Sequence, residues 1–170
     1  MKYIKNYLRS VSIFGIAILF FFSGCENKEE GEFTNIVEVL SSDSSLSTLV
    51  AALQYGKVGS ILEAYGPITV FAPTNDAFDD LGAIPGEVVL TQVLLHHVVS
   101  EANLASSALN DGDNVATTLE GDDITVTVIG NPVIVTDGSG NEAVIIATDV
   151  QAGNGVIHVL DAVLLPDTTN

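Results

Sequence analysis

Tryptophan is absent, and cysteine occurs once, at position 25, in a chain of 170 residues. A lone cysteine excludes an intramolecular disulfide, so the fold must hold by packing and hydrogen bonding. Basic residues are scarce: five Lys and Arg against 22 Asp and Glu give a formal charge of −17. Lys2, Lys5 and Arg9 all precede the first acid, Glu26. From residue 25 onward only Lys28 and Lys57 oppose all 22 acids, a balance of −20. Such a surface repels phosphates and anionic lipid headgroups, which excludes nucleic acid as a partner. The excess acid reads first as solubility outside the cytoplasm, and otherwise as affinity for cations or basic partners. With seven Phe and four Tyr, the core falls to Val, Leu, Ile and Ala. An apolar content of 47% suffices for one domain.

The longest apolar run lies at the start. Residues 11–22 (VSIFGIAILFFF) contain one polar side chain, Ser12, and follow the basic segment. A membrane-spanning helix needs about 20 apolar residues, so this run fits the hydrophobic region of a signal peptide. Small residues, Ser23 and Gly24, then lead to Cys25. The segment FFSGC resembles the lipobox of bacterial lipoproteins, with Phe22 where Leu is commoner. The resemblance implies cleavage before Cys25, diacylglycerol on its thiol and acylation of its new amine. Residues 1–24 are thus expected to be a lipoprotein signal peptide, and 25–32 an acidic tether from lipidated Cys25. The triplet Lys28-Glu29-Glu30 is similar to a surface-export signal of some Gram-negative bacteria. The expected location is the outer membrane with the domain exposed at the cell surface; the alternative faces the periplasm.

Beyond the tether the pattern becomes periodic. Asn35 or Thr34 can cap a helix through Leu40, and Asp43 or Ser44 the next. In that second helix Leu46, Leu49, Val50 and Leu53 fall on one face, and Gly56 ends it. A third helix, 58–65, stops at Gly66-Pro67. Residues 68–71 are β-prone, with Pro73 closing the run. Thr74, Asn75 and Asp76 offer caps for a helix containing Phe78 and Leu81, and Pro85-Gly86 opens another that runs to about Val98. Thereafter β-rich runs (115–119, 124–129, 133–135, 143–147 and 156–165) alternate with Gly121-Asp122, Gly130-Asn131, Asp137-Gly138 and Asn154-Gly155 turns. Helices first and strands later predict an α+β domain rather than a βαβ array.

Two blocks, TVFAPTNDAF (69–78) and GVIHVLDAVLLP (155–166), resemble the signature segments of the fasciclin domain. Between them LLHHVV (94–99) is similar to that domain's tyrosine–histidine motif: His97 matches the histidine, and His96 stands where tyrosine is usual. The connection 81–88 is shorter than the helical insertion of many relatives. The resemblance implies a single fasciclin-like domain over 33–166 with a four-residue tail, 167–170. Its fold would be N-terminal helices followed by a β-rich half forming a wedge-shaped sandwich. It also implies a non-enzymatic adhesion module with a protein or glycan partner at the cell surface or matrix, held to the membrane by the lipid on Cys25. Candidate partner-binding or motif residues are His96, His97, Asn75, Asp76 and His158.

The chemistry-bearing patterns are weak. Neighbouring His96 and His97 point to different directions and cannot easily share an ion. A site built from one of them with His158 and a carboxylate has no standard spacing, so no metal site and no cofactor are expected. The stretch 137–142 alternates oxygen ligands as a calcium loop begins, but lacks the later Gly and Glu, and reads as a hairpin turn. The serines sit outside any nucleophile elbow, and no phosphate-binding glycine motif occurs. His158 and Asp161, three apart, could meet only across a bulge. A second class of function, an envelope small-ligand or cation-binding protein using its acidic loops, stays open beside adhesion.

Overall fold

The computed structural model describes residues 34–82, 86–100 and 103–167. The expected signal peptide, Cys25, the tether, Phe33, Pro85 and residues 168–170 lie outside the described residues.

Helix α1 (Ile36–Ser42) starts on a reciprocal cap. Asn35 Oδ1 accepts the Glu38 N–H at 2.9 Å, and the Glu38 carboxylate accepts the Asn35 N–H at 3.2 Å. Two otherwise orphaned helix-end donors are satisfied by one residue pair. Asp43 caps a 3-10 turn (Ser44–Leu46) by accepting the Ser45 N–H at 2.8 Å, and α2 (Ser47–Tyr55) continues from it. Gly56 ends α2 in a right-handed conformation, φ −77°. The space is tight there: a Cβ would stand 3.1 Å from Leu94 Cδ1, so the leucine side chain would have to give by a few tenths of an ångström. Next come α3 (Gly59–Ala64), strand β1 (Ile68–Pro73), α4 (Asn75–Leu81) and α5 (Glu87–His96). The strands β2 (Val98–Ser100), β3 (Gly112–Thr117), β4 (Asp123–Val128), β5 (Ile134–Thr136), β6 (Glu142–Ala152) and β7 (Gly155–Leu160) complete the domain.

All seven strands form one sheet in the order β2-β1-β7-β6-β5-β4-β3. β1 and β7 run parallel and are buried along their whole lengths; the other strand pairs are antiparallel. That burial on both faces explains their largely apolar sequences, interrupted by Thr69 and His158. On one side Ile68, Val70, Ala72 and Ile157 pack under the helices with Leu40, Leu49, Leu62 and Leu94. On the other, Phe71 and Leu160 join Ile124, Val126, Val135 and Ile145 from the outer strands. The sheet curls until its two edges meet. Val99 of β2 bridges Thr118 just beyond β3, and the Leu119 N–H donates to Val98 O at 2.7 Å. The expected sandwich is therefore one sheet folded back on itself, with little free edge left on β2.

The α+β order of helices then strands agrees with the sequence. Several boundaries differ, among them β3, which spans Gly112–Thr117 rather than 115–119, and four others. α5 stops at His96, because Val98 already pairs with Val70 of β1 as part of the unexpected strand β2. β6 runs on to Ala152 through register shifts at Ile145/Ala147 and Ala147/Val150, where exposed residues, apolar Ile146 and Val150 among them, break its alternation. β7 ends at Leu160 instead of reaching Leu165. Gly155 opens β7 rather than completing a turn: a Cβ on it would lie 1.9 Å from Ile68 O.

Candidate functional site

The three histidines are all buried. His97 caps the C-terminus of α5, where its Nδ1 meets Val93 O at 2.7 Å. Its Nε2 accepts the Leu164 N–H at 3.0 Å. Accepting at Nε2 assigns the ring proton to Nδ1, so a neutral imidazole ties α5 to the chain after β7. Burial pushes its pKa down to about 4.

His158, on β7, receives the Asp149 N–H at Nδ1 (3.3 Å), places Nε2 2.9 Å from Leu104 O, and stacks on Phe71 with ring centres 5.6 Å apart. Asp149 itself adopts a left-handed conformation, φ 59°, in the irregular part of β6. Its carboxylate accepts the Ser106 N–H at 2.7 Å and the Ser106 hydroxyl. Ser106, Asp149 and His158 thus share a network, yet the hydroxyl meets the carboxylate and the imidazole meets backbone. A nucleophile relay needs the hydroxyl on the imidazole, so this network is architectural. Asp161 accepts the Val144 N–H at 2.7 Å, and it and His158 have separate partners.

All three of these motif histidines are interior, so none presents its side chain at the surface. The metal set considered from the sequence is likewise not assembled, since both ring nitrogens of His97 and of His158 have backbone partners.

Asn75 does not cap its own helix; Thr74 does, its hydroxyl accepting the Ala77 N–H at 3.3 Å. Asn75 reaches across to α2, where the N-cap position, Leu46, offers no side-chain cap. Its Oδ1 accepts the Thr48 N–H at 2.9 Å, and its Nδ2 donates to Ser44 O at 2.9 Å. Asp76 is exposed in the first turn of α4, where a negative charge favours the helix dipole. Among the nominated residues that the structure describes, it alone is exposed.

The calcium-like stretch is a clamp. Asp137 is buried and accepts four bonds, from Ser139 N (3.0 Å), Asn141 N (2.8 Å), Asn141 Nδ2 (2.9 Å) and Leu165 N (2.9 Å). Its oxygens are committed to the turn and to the C-terminal segment.

A grouping that the sequence did not nominate forms around His96. The side chain is fully buried, and neither ring nitrogen has a hydrogen-bond partner among the described residues. Leaving a buried polar atom unpaired costs roughly 1–3 kcal/mol. Glu120 and Asp122, half-buried on the turn between β3 and β4, stand beside it. One ligand atom from each of the three lies within 4.8 Å of the others. Burial lowers the His96 pKa against the opposing pull of Asp122 and Asp137. Burial, the Asp122 charge and a shared hydrogen bond with Asp122 raise that of Glu120. No local spacing announces this set, because the edge contact between Val99 and Thr118 brings it together.

Comparison with known proteins places the chain in a wider group. A family model described as the fasciclin domain matches residues 44–166. Protein sll1483 of Synechocystis sp. is 40% identical over 139 residues, spanning 77% of this chain and 73% of that protein. Protein sll1735 of the same organism is 34% identical over 146 residues, spanning 77% of this chain and 97% of its own length. Among solved structures, a domain pair from the insect cell adhesion molecule fasciclin I superposes with a TM-score of 0.59 at 20% identity. It covers 74% of this chain and 46% of that one. At such identity the likeness is one of fold.

Proposed function

The chain belongs to the fasciclin-domain family, and from that premise we propose that it is a non-enzymatic adhesion or interaction module held at a membrane surface by lipid on Cys25. The observation that carries this reading is the order of parts: a family match over 44–166 follows closely on a lipobox-like FFSGC. Each buried CH₂ of an acyl chain adds about 0.8 kcal/mol of membrane affinity, so two or three chains on Cys25 give a firm anchor. The acidic segment ENKEEG then links the anchor to the domain, and Lys28-Glu29-Glu30 favours outward display.

The fold relative is an insect cell adhesion molecule. For this chain, adhesion means binding a protein or glycan through exposed residues rather than through the three histidines. Asp76, Asp79 and Asp80 on α4 are exposed, and their charge suits a basic partner. The polar networks around Asp137, Asp149 and His97 hold such a surface rigid instead of performing chemistry.

The test is attachment. Cells that display the chain should bind envelope or matrix material more strongly than cells lacking it, and proteolysis of intact cells should abolish the difference. Equal attachment, with the protein confirmed on the surface, would count against adhesion. The second reading, a cation-binding envelope protein, is favoured by one specific observation, the grouping at His96.

A further inference from the structure

The geometry points to a binding site for a divalent transition-metal ion of the zinc type, formed by His96 at the end of α5 with Glu120 and Asp122 on the β3–β4 turn. Three observations converge on it. His96 is fully buried with both ring nitrogens lacking a hydrogen-bond partner among the described residues. Buried polar atoms in native folds have a protein, water or ion partner, and each exception calls for one. Two carboxylates, the complementary donors, face it, with ligand atoms of all three residues within 4.8 Å of one another. Finally, the charges acting on His96 from neighbouring side chains are carboxylates, Asp122 and Asp137, so the pocket attracts a cation. Lys57 is the only Lys or Arg among the described residues.

The donor set selects the ion. One imidazole nitrogen with two carboxylate oxygens suits zinc and its first-row neighbours, whereas calcium takes oxygen ligands alone, six to eight of them. Ligand atoms around tetrahedral zinc stand about 3.4 Å apart, from bond lengths of about 2.1 Å. A spread of at most 4.8 Å closes to that value by about 1.4 Å of relative side-chain movement or less, which half-buried carboxylates on a turn can supply. Asp122 is already oriented, because its Oδ2 accepts the Asp167 N–H at 3.0 Å. Its backbone carbonyl accepts from Thr118 N and Thr118 Oγ, both at 2.9 Å, which fixes the turn. With three protein ligands, the fourth position goes to water. Bound metal would link the end of α5 to the β3–β4 turn across the closing seam of the sheet. This inference stands apart from the adhesion reading, since the site is internal and its occupancy does not depend on a partner.

The experiment is calorimetric titration of the full chain in detergent, stripped of metal by chelator, with Zn²⁺. One ion per chain is expected, with a dissociation constant on the order of micromolar or tighter. His96→Tyr and Glu120→Gln should each weaken it by roughly tenfold or more, while Asp76→Asn leaves it unchanged. Zn²⁺ should also raise the melting temperature of the unmodified chain and of Asp76→Asn, but not of the other two. Far-UV circular dichroism checks folding. Should His96→Tyr fail to fold, Glu120→Gln on the exposed side of the site decides. The inference is overturned by no saturable binding up to millimolar Zn²⁺, by binding undiminished in Glu120→Gln, or by displacement of Zn²⁺ with a tenfold excess of Ca²⁺.

Discussion

Asn75 follows the cap of its own helix, yet its amide closes the start of another. Replacing it with Ala removes the acceptor for Thr48 N–H and the donor to Ser44 O. We expect Asn75→Ala to cost about 1–2 kcal/mol in urea unfolding, and Asp76→Ala, one position on and exposed, to stay within about 0.5 kcal/mol. Equal effects would show that the cross-helix cap does not act. The histidines make a pH prediction. Burial lowers the His158 pKa below 6.5, so the fold favours its neutral form. That contribution is complete above pH 6.5 and is lost as pH falls from 6.5 toward the depressed value. In chelator-containing buffer, stability should therefore decline as pH falls below 6.5, and His158→Asn should decline less steeply than the unmodified chain. Parallel curves for the two proteins would contradict this. The TVFAPTNDAF block disclosed that position 75 mattered. It did not disclose why, because the amide's partners lie on the 3-10 turn and the first turn of α2, far back in the chain.

The β1–β7 pair carries both cores, and its closeness rests on one hydrogen atom. The Ile68 carbonyl approaches Gly155 so nearly that any Cβ would have to displace backbone. Gly155→Ala should cost more than about 3 kcal/mol, visible as loss of the folded circular dichroism signal or a collapsed melting temperature. A variant of near-normal stability would mean that the strands are not this close. In β6, Asp149 holds its left-handed turn by capping Ser106 N–H, so Asp149→Ala should speed amide exchange at Ser106 and across the 3-10 turn Ser106–Ala108. At this scale the sequence was a good guide wherever local chemistry decides. Capping residues and turn glycines located α1, α2, α3, β1 and most outer strands. It failed where long-range pairing decides: β2 is three residues long and exists because β1 and Thr118 flank it. The far half of β6 is exposed and irregular, so no alternation marks it.

Folded back on itself, the sheet leaves an acidic surface over two apolar cores, with chemistry-bearing side chains turned into clamps. That architecture was legible in outline, since two signature blocks and the switch from helical to strand period predict it. The polar sites were not, because Asp137, Asp149 and the His96 grouping are each completed by residues distant in sequence. Histidines nominated as contact residues proved to be interior for the same reason: adjacency in a motif says nothing of which way the surface lies. The proposed role joins this rigid domain to an anchor at Cys25. Cys25→Ser should abolish lipid labelling and move the protein from the membrane to the soluble fraction, since no acyl chain is then attached. Retention on the membrane would contradict the anchor. The most direct test of the whole reading uses that released protein as a competitor of cells displaying the anchored form. Added in excess, soluble Cys25→Ser protein should reduce attachment of those cells to the level of cells lacking the chain. Attachment that persists undiminished at saturating competitor would contradict a domain that binds from a lipid-held surface.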